Sequence, residues 1–114
     1  MRSAVEPNPW RFGYAIIEKE SDLVVGICGF TGPPNEAGVV EIAYSIAPAY
    51  QGKGYGTEAA RALTEIARCE PAVQLICAHT LAEENASTRI LKKCGFRKVG
   101  EAMEDDLPIW RWEL

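Results

Sequence analysis

Three glycines at alternate positions, Gly52, Gly54 and Gly56, stand where the chain changes its hydrophobic period. Before them, Val39 to Ala47 reads as a strand stopped by Pro48. After them, between Tyr55 and Arg68, Ala59, Ala62, Leu63, Ile66 and Ala67 recur at spacings of three and four, with Glu58, Arg61, Glu65 and Arg68 facing away. The next apolar run, Val73 to Thr80, follows this amphipathic helix, so a right-handed crossover is expected to make the two strands parallel. Glycine permits positive φ and keeps side chains out of the space between backbone and ligand, while the helix start directs unsatisfied N–H groups and its positive dipole end there. Such a loop favours a phosphate or pyrophosphate, with Lys53 adding a charge-assisted contact. The alternative is a turn that merely joins strand to helix. The Walker pattern is absent, because no Lys-Ser or Lys-Thr ends the loop, and the dinucleotide pattern fails at Thr57.

The remaining elements order themselves around this unit. Phe12 to Lys19, Leu23 to Thr31 and Val39 to Ala47 form an antiparallel meander, turning at Glu20-Ser21-Asp22 and at Gly32-Pro33-Pro34-Asn35. A second helix carries Ala86, Ile90, Leu91 and Cys94 inward and stops at Gly95 in a left-handed conformation. Phe96 to Met103 and Leu107 to Leu114 close the chain as a hairpin around Glu104-Asp105-Asp106. The fold class is therefore α/β (α+β), a mixed, mostly antiparallel sheet in the order β-β-β-α-β-α-β-β.

A length of 114 residues supports one domain over 1–114, with residues 1–9 as a flexible lead-in. The net charge of −4 comes without a basic stripe, which argues against a nucleic-acid partner. No apolar leader and no stretch long enough to span a bilayer are present, so no membrane partner is expected. The cysteines Cys28, Cys69, Cys77 and Cys94 lack C-x-x-C spacing, so no metal is expected and the reading is a reduced, cytoplasmic protein.

The flanks of the glycine loop carry a family likeness. Glu41-Ile42-Ala43-Tyr44-Ser45-Ile46-Ala47-Pro48, then Gln51-x-x-Gly54-x-Gly56, then Glu58-Ala59 resembles the acetyl-CoA motif of the GNAT superfamily of N-acetyltransferases. The segment Ala86 to Phe96 is similar to the branch that acetylates ribosomal-protein N-termini and related amines. The likeness runs from Trp10 onward and implies a GNAT-like acyl-CoA acyltransferase fold, N-terminally short of one strand and a helix pair. It implies that backbone N–H groups of Gln51, Gly52, Lys53, Gly54, Tyr55, Gly56 and Thr57 hold the pyrophosphate of acetyl-CoA. It further implies that the strand before the loop splays from its parallel neighbour and bonds the pantetheine arm through main chain at Ala43, Tyr44, Ser45 and Ile46. Asn85 would also hold the cofactor, or else only cap the second helix. The tyrosine that many relatives place four residues before the Gly-Phe pair is Leu91 here.

Two residues are candidates for catalysis. Glu41 would take a proton from an amine acceptor, the alternative being a charge at a sheet edge. Ser87 would donate to the leaving thiolate, although serine in a first helical turn is common without chemistry. His79, the single histidine, ends the parallel strand near the cleft and reads as a partly exposed structural residue, the alternative being a base, and Glu104-Asp105-Asp106 either attracts an ammonium or forms a solvated turn. An α-amine, with its pKa near ~8, is the easier acceptor, because neutralising it at pH 7 costs about 1 kcal/mol against roughly 4.6 for a lysine. The expected activity is acetyl transfer from acetyl-CoA to a primary amine, of a protein N-terminus or a small molecule, by direct attack in a ternary complex. The alternative is an acyl-CoA-binding module without catalysis. An N-terminally short sheet would expose Phe12 to Lys19 as an edge, so a homodimer or higher homo-oligomer is expected.

Overall fold

The computed structural model describes Arg2 and Ser3, Trp10 and residues 13–114. Strands β1 (Arg2–Ser3), β2 (Tyr14–Ile17), β3 (Val24–Phe30) and β4 (Val39–Ile46) lead into helix α1 (Tyr55–Arg68). Then follow β5 (Leu75–Leu81), α2 (Ala86–Lys93), β6 (Arg97–Glu104) and β7 (Leu107–Glu113). One seven-stranded sheet results, in the order β1-β2-β3-β4-β5-β7-β6, antiparallel except for the β4/β5 pair. The mixed α+β architecture and the parallel crossover are those expected of the sequence.

Three differences are informative. The edge predicted at Phe12 to Lys19 is corrected: Arg2 and Ser3 pair with Ala15 and Tyr14, so β1 covers the outer side of β2 at those two residues. The rest of the expected lead-in, and Phe12, lie outside the described residues. Second, α1 has the predicted bounds, but Ala60 and Thr64 are buried along with Ala59, Leu63 and Ala67, while Ala62 and Ile66 are only half-buried. The apolar stripe is thus turned slightly from the one the spacing indicates. Third, Ala86 is exposed, and the polar Thr88 takes the buried place in the first turn of α2.

That burial is made tolerable by a capping box. The Asn85 side chain accepts from the Thr88 N–H at 3.0 Å, and the Thr88 hydroxyl accepts from the Asn85 N–H at 2.9 Å. Gly95, with φ of 92°, ends the helix in the left-handed conformation expected. At the far end of the sheet, Asp105 and Asp106 both have positive φ, 49° and 66°. This is the primed two-residue turn whose twist suits a hairpin, built here from a residue type that tolerates it.

The core lies on one face of the sheet. Val40 and Ile42 of β4, Ile76 and Ala78 of β5 and Trp112 of β7 are buried together with Ala59, Leu63 and Ala67 of α1 and Leu91 of α2. Strand alternation sends Glu41, Ala43 and Ser45 of β4 and His79 of β5 to the other face. On that face Ile27 is 62% exposed.

Candidate functional site

The site begins with a break in the sheet. Strands β4 and β5 pair only at Val39↔Leu75, Val40↔Ile76 and Glu41↔Cys77. Beyond Glu41, β4 stays with β3 through Ile46, and beyond Cys77, β5 stays with β7 through Leu81. The two strands therefore part, leaving a wedge with an unpaired strand edge on each side. The Glu41 carbonyl accepts from Thr31 N–H and the Ala47 N–H donates to Val25, so odd-numbered β4 residues face β3. Alternation turns the backbone groups of Ile42, Tyr44 and Ile46 into the wedge and commits those of Ala43 and Ser45 to the β3 ladder.

Cavities lie in the wedge and on either side of it. On the α1 side, about 300 Å³ is lined by Tyr44, Ile46, Gly52, Gly54, Thr57 and Ser87 among others. The wedge itself holds about 110 Å³, bounded by Glu41, Tyr44, His79, Ser87 and Leu91. On the far side, about 360 Å³ is lined by Glu41, His79, Glu104 and Asp105, with Leu81, Leu107 and Ile109. Tyr44 and Ser87 border the first two, and Glu41 and His79 border the last two.

At the α1 end the glycine loop leaves the helix start open. Gly52 and Gly54 have φ of 80° and 91°, and open space lies where their Cβ atoms would be. Gly54 is the N-cap of α1, with no side chain capping the helix. Among the described residues no acceptor bonds the backbone N–H groups of Gly52 through Thr57. The Gln51 amide donates to the Ile46 carbonyl at 3.0 Å and ties the loop to β4. Gly56 has a different reason: a Cβ there would lie 2.5 Å from Ile90 Cδ1, so its absence lets α1 approach α2. The Lys53 ammonium sits over the Tyr50 ring, 5.4 Å from its centroid.

Hydroxyls gather at the middle of the path. The Tyr44 hydroxyl donates to the Ser87 carbonyl at 3.4 Å, and burial pushes the Tyr44 phenol well above its ordinary value, so it stays protonated. The side chain of Tyr44 is a feature sequence reasoning missed, having counted only its main chain. Leu91 is 1% exposed and walls the wedge. Asn85 serves as the α2 cap and does not line the three cavities.

Glu41 and His79 meet at the acidic mouth, where His79 Nδ1 lies 2.8 Å from Glu41 Oε2. The Thr31 hydroxyl is 3.5 Å from the other carboxylate oxygen. Glu104 and Asp105 share the cavity but not that contact.

The cysteines stand apart from this chemistry. Burial pushes the Cys28 thiol up to about 11 and raises those of Cys77 and Cys94 as well. The thiolate is the reactive form, so these three should label slowly at pH 8 and faster as pH rises, while exposed Cys69 labels first. A disulfide-exchange reagent with mass-spectrometric mapping of the modified peptide checks the order; Cys28 labelling before Cys69 would contradict it.

An open helix start beside a wedge between splayed parallel strands defines an α+β domain with a row of neighbouring cavities at the break in its sheet. Residues 2–97 match the family model for an acetyltransferase (GNAT) domain, and the chain belongs to that family. It is 33% identical over 87 residues to the uncharacterized N-acetyltransferase p20 of Bacillus licheniformis, covering 76% of this chain and 49% of that protein. The uncharacterized N-acetyltransferase YjdG of Bacillus subtilis is 34% identical over 83 residues, 73% of this chain and 49% of that one. The chain spans about half the length of these curated relatives. Among solved structures, the ribosomal-protein-S5-alanine acetyltransferase of Vibrio fischeri superposes with a TM-score of 0.80 at 19% identity, over 90% of this chain and 60% of that one. An aminoglycoside acetyltransferase AAC(6')-Ib in complex with coenzyme A gives 0.75 at 22% identity, over 90% and 65%. Both share the fold.

Proposed function

We propose that this chain is an acetyl-CoA-dependent N-acetyltransferase acting on a primary amine, of a protein N-terminus or a small molecule, in a ternary complex. The observation that carries the reading is the row of cavities with shared walls, from the uncapped α1 N-terminus, by the wedge, to an acidic mouth. Pyrophosphate fits the cradle of Gly52 to Thr57, where N–H groups and the helix dipole meet it without side-chain interference. The pantetheine arm then fits the wedge, where Tyr44 and Ile46 turn backbone groups towards it, and an N–H of this strand would bond the thioester oxygen as it gains charge.

In this reading the amine enters by the acidic mouth, where Glu41, Glu104 and Asp105 favour a cation. Once its ammonium proton has passed to a base at the mouth, of which Glu41 is the carboxylate nearest the wedge, the neutral nitrogen attacks the thioester carbon, forming a C–N bond and breaking the C–S bond. The second N–H proton, released as the amide forms, goes to the thiolate by way of the hydroxyl of Ser87 or Tyr44, which ends as it began. The expected results are saturable coenzyme A binding by calorimetry and thiol release from acetyl-CoA with at least one amine of a panel of N-terminal peptides and small amines. Binding without turnover for every amine would favour a non-catalytic acyl-CoA-binding module. Loss of both would remove the assignment. We further propose that two copies associate through the helix-free sheet face, supported by exposed Leu23, Val24 and Ile27. A monomeric mass by light scattering at micromolar concentration would exclude it.

A further inference from the structure

We infer that His79, and not Glu41, is the group that takes the proton from the amine, and that Glu41 is a positioning residue that holds the imidazole in the working tautomer. The inference rests on the acetyltransferase reading above and deepens it. Its basis is the geometry where the sheet divides. Glu41 is the last β4 residue to pair with β5, opposite Cys77, so His79 lies two residues beyond on the same face. That register places the two side chains at the tip of the wedge, with His79 Nδ1 at 2.8 Å from Glu41 Oε2.

An ionised carboxylate only accepts hydrogen bonds, so the neutral ring must carry its proton on Nδ1. The lone pair is then on Nε2, and no described residue bonds that nitrogen. His79 lines both the wedge and the acidic cavity, so its imidazole borders the space in which amine and thioester would meet. Glu41 Oε2 is already occupied by the ring, and Oε1 has the Thr31 hydroxyl 3.5 Å away. Glu104 and Asp105 share the acidic cavity with His79, and Arg111 is its β7 register partner, whose Nε donates to Glu113 Oε2 at 3.1 Å. The carboxylate thus does for the imidazole what an orienting acid does in other base pairs of this kind: it fixes the tautomer and stabilises the imidazolium formed on proton transfer. The step balances simply: the amine nitrogen bonds to the acyl carbon, its proton passes to Nε2, and the sulfur leaves as thiolate.

Because the chain has a single histidine, its ring nitrogens are directly readable by ¹⁵N NMR. In the full chain at pH 8, the ring proton is expected on Nδ1, shifting towards the Nε2–H form in Glu41→Ala, which leaves no acceptor at this place. A wild-type ring protonated on Nε2, or one unaffected by Glu41→Ala, would overturn the pairing. In thiol-release assays, His79→Ala should lower kcat by roughly 10²- to 10³-fold, the range for a lost general base, with partial rescue by added imidazole. Glu41→Gln should lower kcat less, by about tenfold, with the amine KM within about threefold and no imidazole rescue. A His79→Ala enzyme near wild-type turnover, or a Glu41→Gln defect larger than that of His79→Ala, would return the base role to the carboxylate. A wild-type chain that acetylates no amine would defeat the functional reading instead, and the NMR result would still decide the tautomer.

Discussion

Gly54→Asp is expected to leave the chain folded and to remove measurable coenzyme A binding. The reasoning separates backbone, bulk and charge. Gly54 sits at φ of 91° with nothing within 4 Å of an added Cβ, so a side chain meets no protein atom there. A left-handed non-glycine residue costs about 1–2 kcal/mol, and Asp and Asn tolerate that region better than most. The domain absorbs that strain. What it cannot absorb is a carboxylate in a cradle whose six free N–H groups and helix dipole favour an anion. A unit charge about 4 Å from a phosphate charge, at an effective dielectric near 20, costs on the order of 4 kcal/mol, close to a thousandfold in affinity. Gly54→Asn has nearly the same shape and no charge, so it should weaken binding by only about tenfold, from bulk and strain. Calorimetry on both variants, with circular dichroism to confirm folding, reads the difference. Equal affinities for Asp and Asn would show that no phosphate lies at Gly54.

The strand–loop–helix turn was legible in sequence because its parts are adjacent: an alternating-glycine loop, a preceding strand and a helix whose period begins at once. Helix α1 accordingly has the bounds that periodicity gives it. Even so, spacing alone treats the three glycines as equivalent, whereas Gly52 and Gly54 supply positive φ and Gly56 supplies closeness to Ile90. That distinction depends on where α2 packs, which no local pattern states. The Glu41–His79 contact was less accessible still. Each residue sat on a strand expected to border the cleft, yet their meeting depends on the register of a parallel pair separated by a whole helix. A shift of one residue would have sent His79 to the opposite face. β1 illustrates the same limit, since two polar residues with no alternation signal form a strand only because the edge of β2 offers them partners.

The wedge also needs a rigid wall, and the second large expected effect lies there. Trp112→Ala should cost about 3–5 kcal/mol of folding stability, as for other buried tryptophans replaced by alanine. At 2% exposure Trp112 is the largest of the fully enclosed side chains, opposite Ala78 in the β5/β7 register, and its Nε1 donates to the Thr80 hydroxyl at 3.0 Å. Ala78 and Thr80 are the residues on either side of His79, so this indole holds the length of β5 that stands away from β4. For a domain of this size each kcal/mol corresponds to roughly 4 °C, which predicts a fall in Tm of about 12–20 °C. Trp112→Phe separates the two contributions. It keeps most of the volume and removes the N–H, but the Thr80 hydroxyl still donates to the Leu81 carbonyl at 3.0 Å and is not stranded. Its cost should therefore stay near 1–2 kcal/mol, a lost hydrogen bond plus modest repacking. Thermal unfolding followed by near-ultraviolet circular dichroism measures both. If Trp112→Phe proved as damaging as Trp112→Ala, the bond to Thr80, rather than the filled volume, would be what keeps β5 in place beside the cleft.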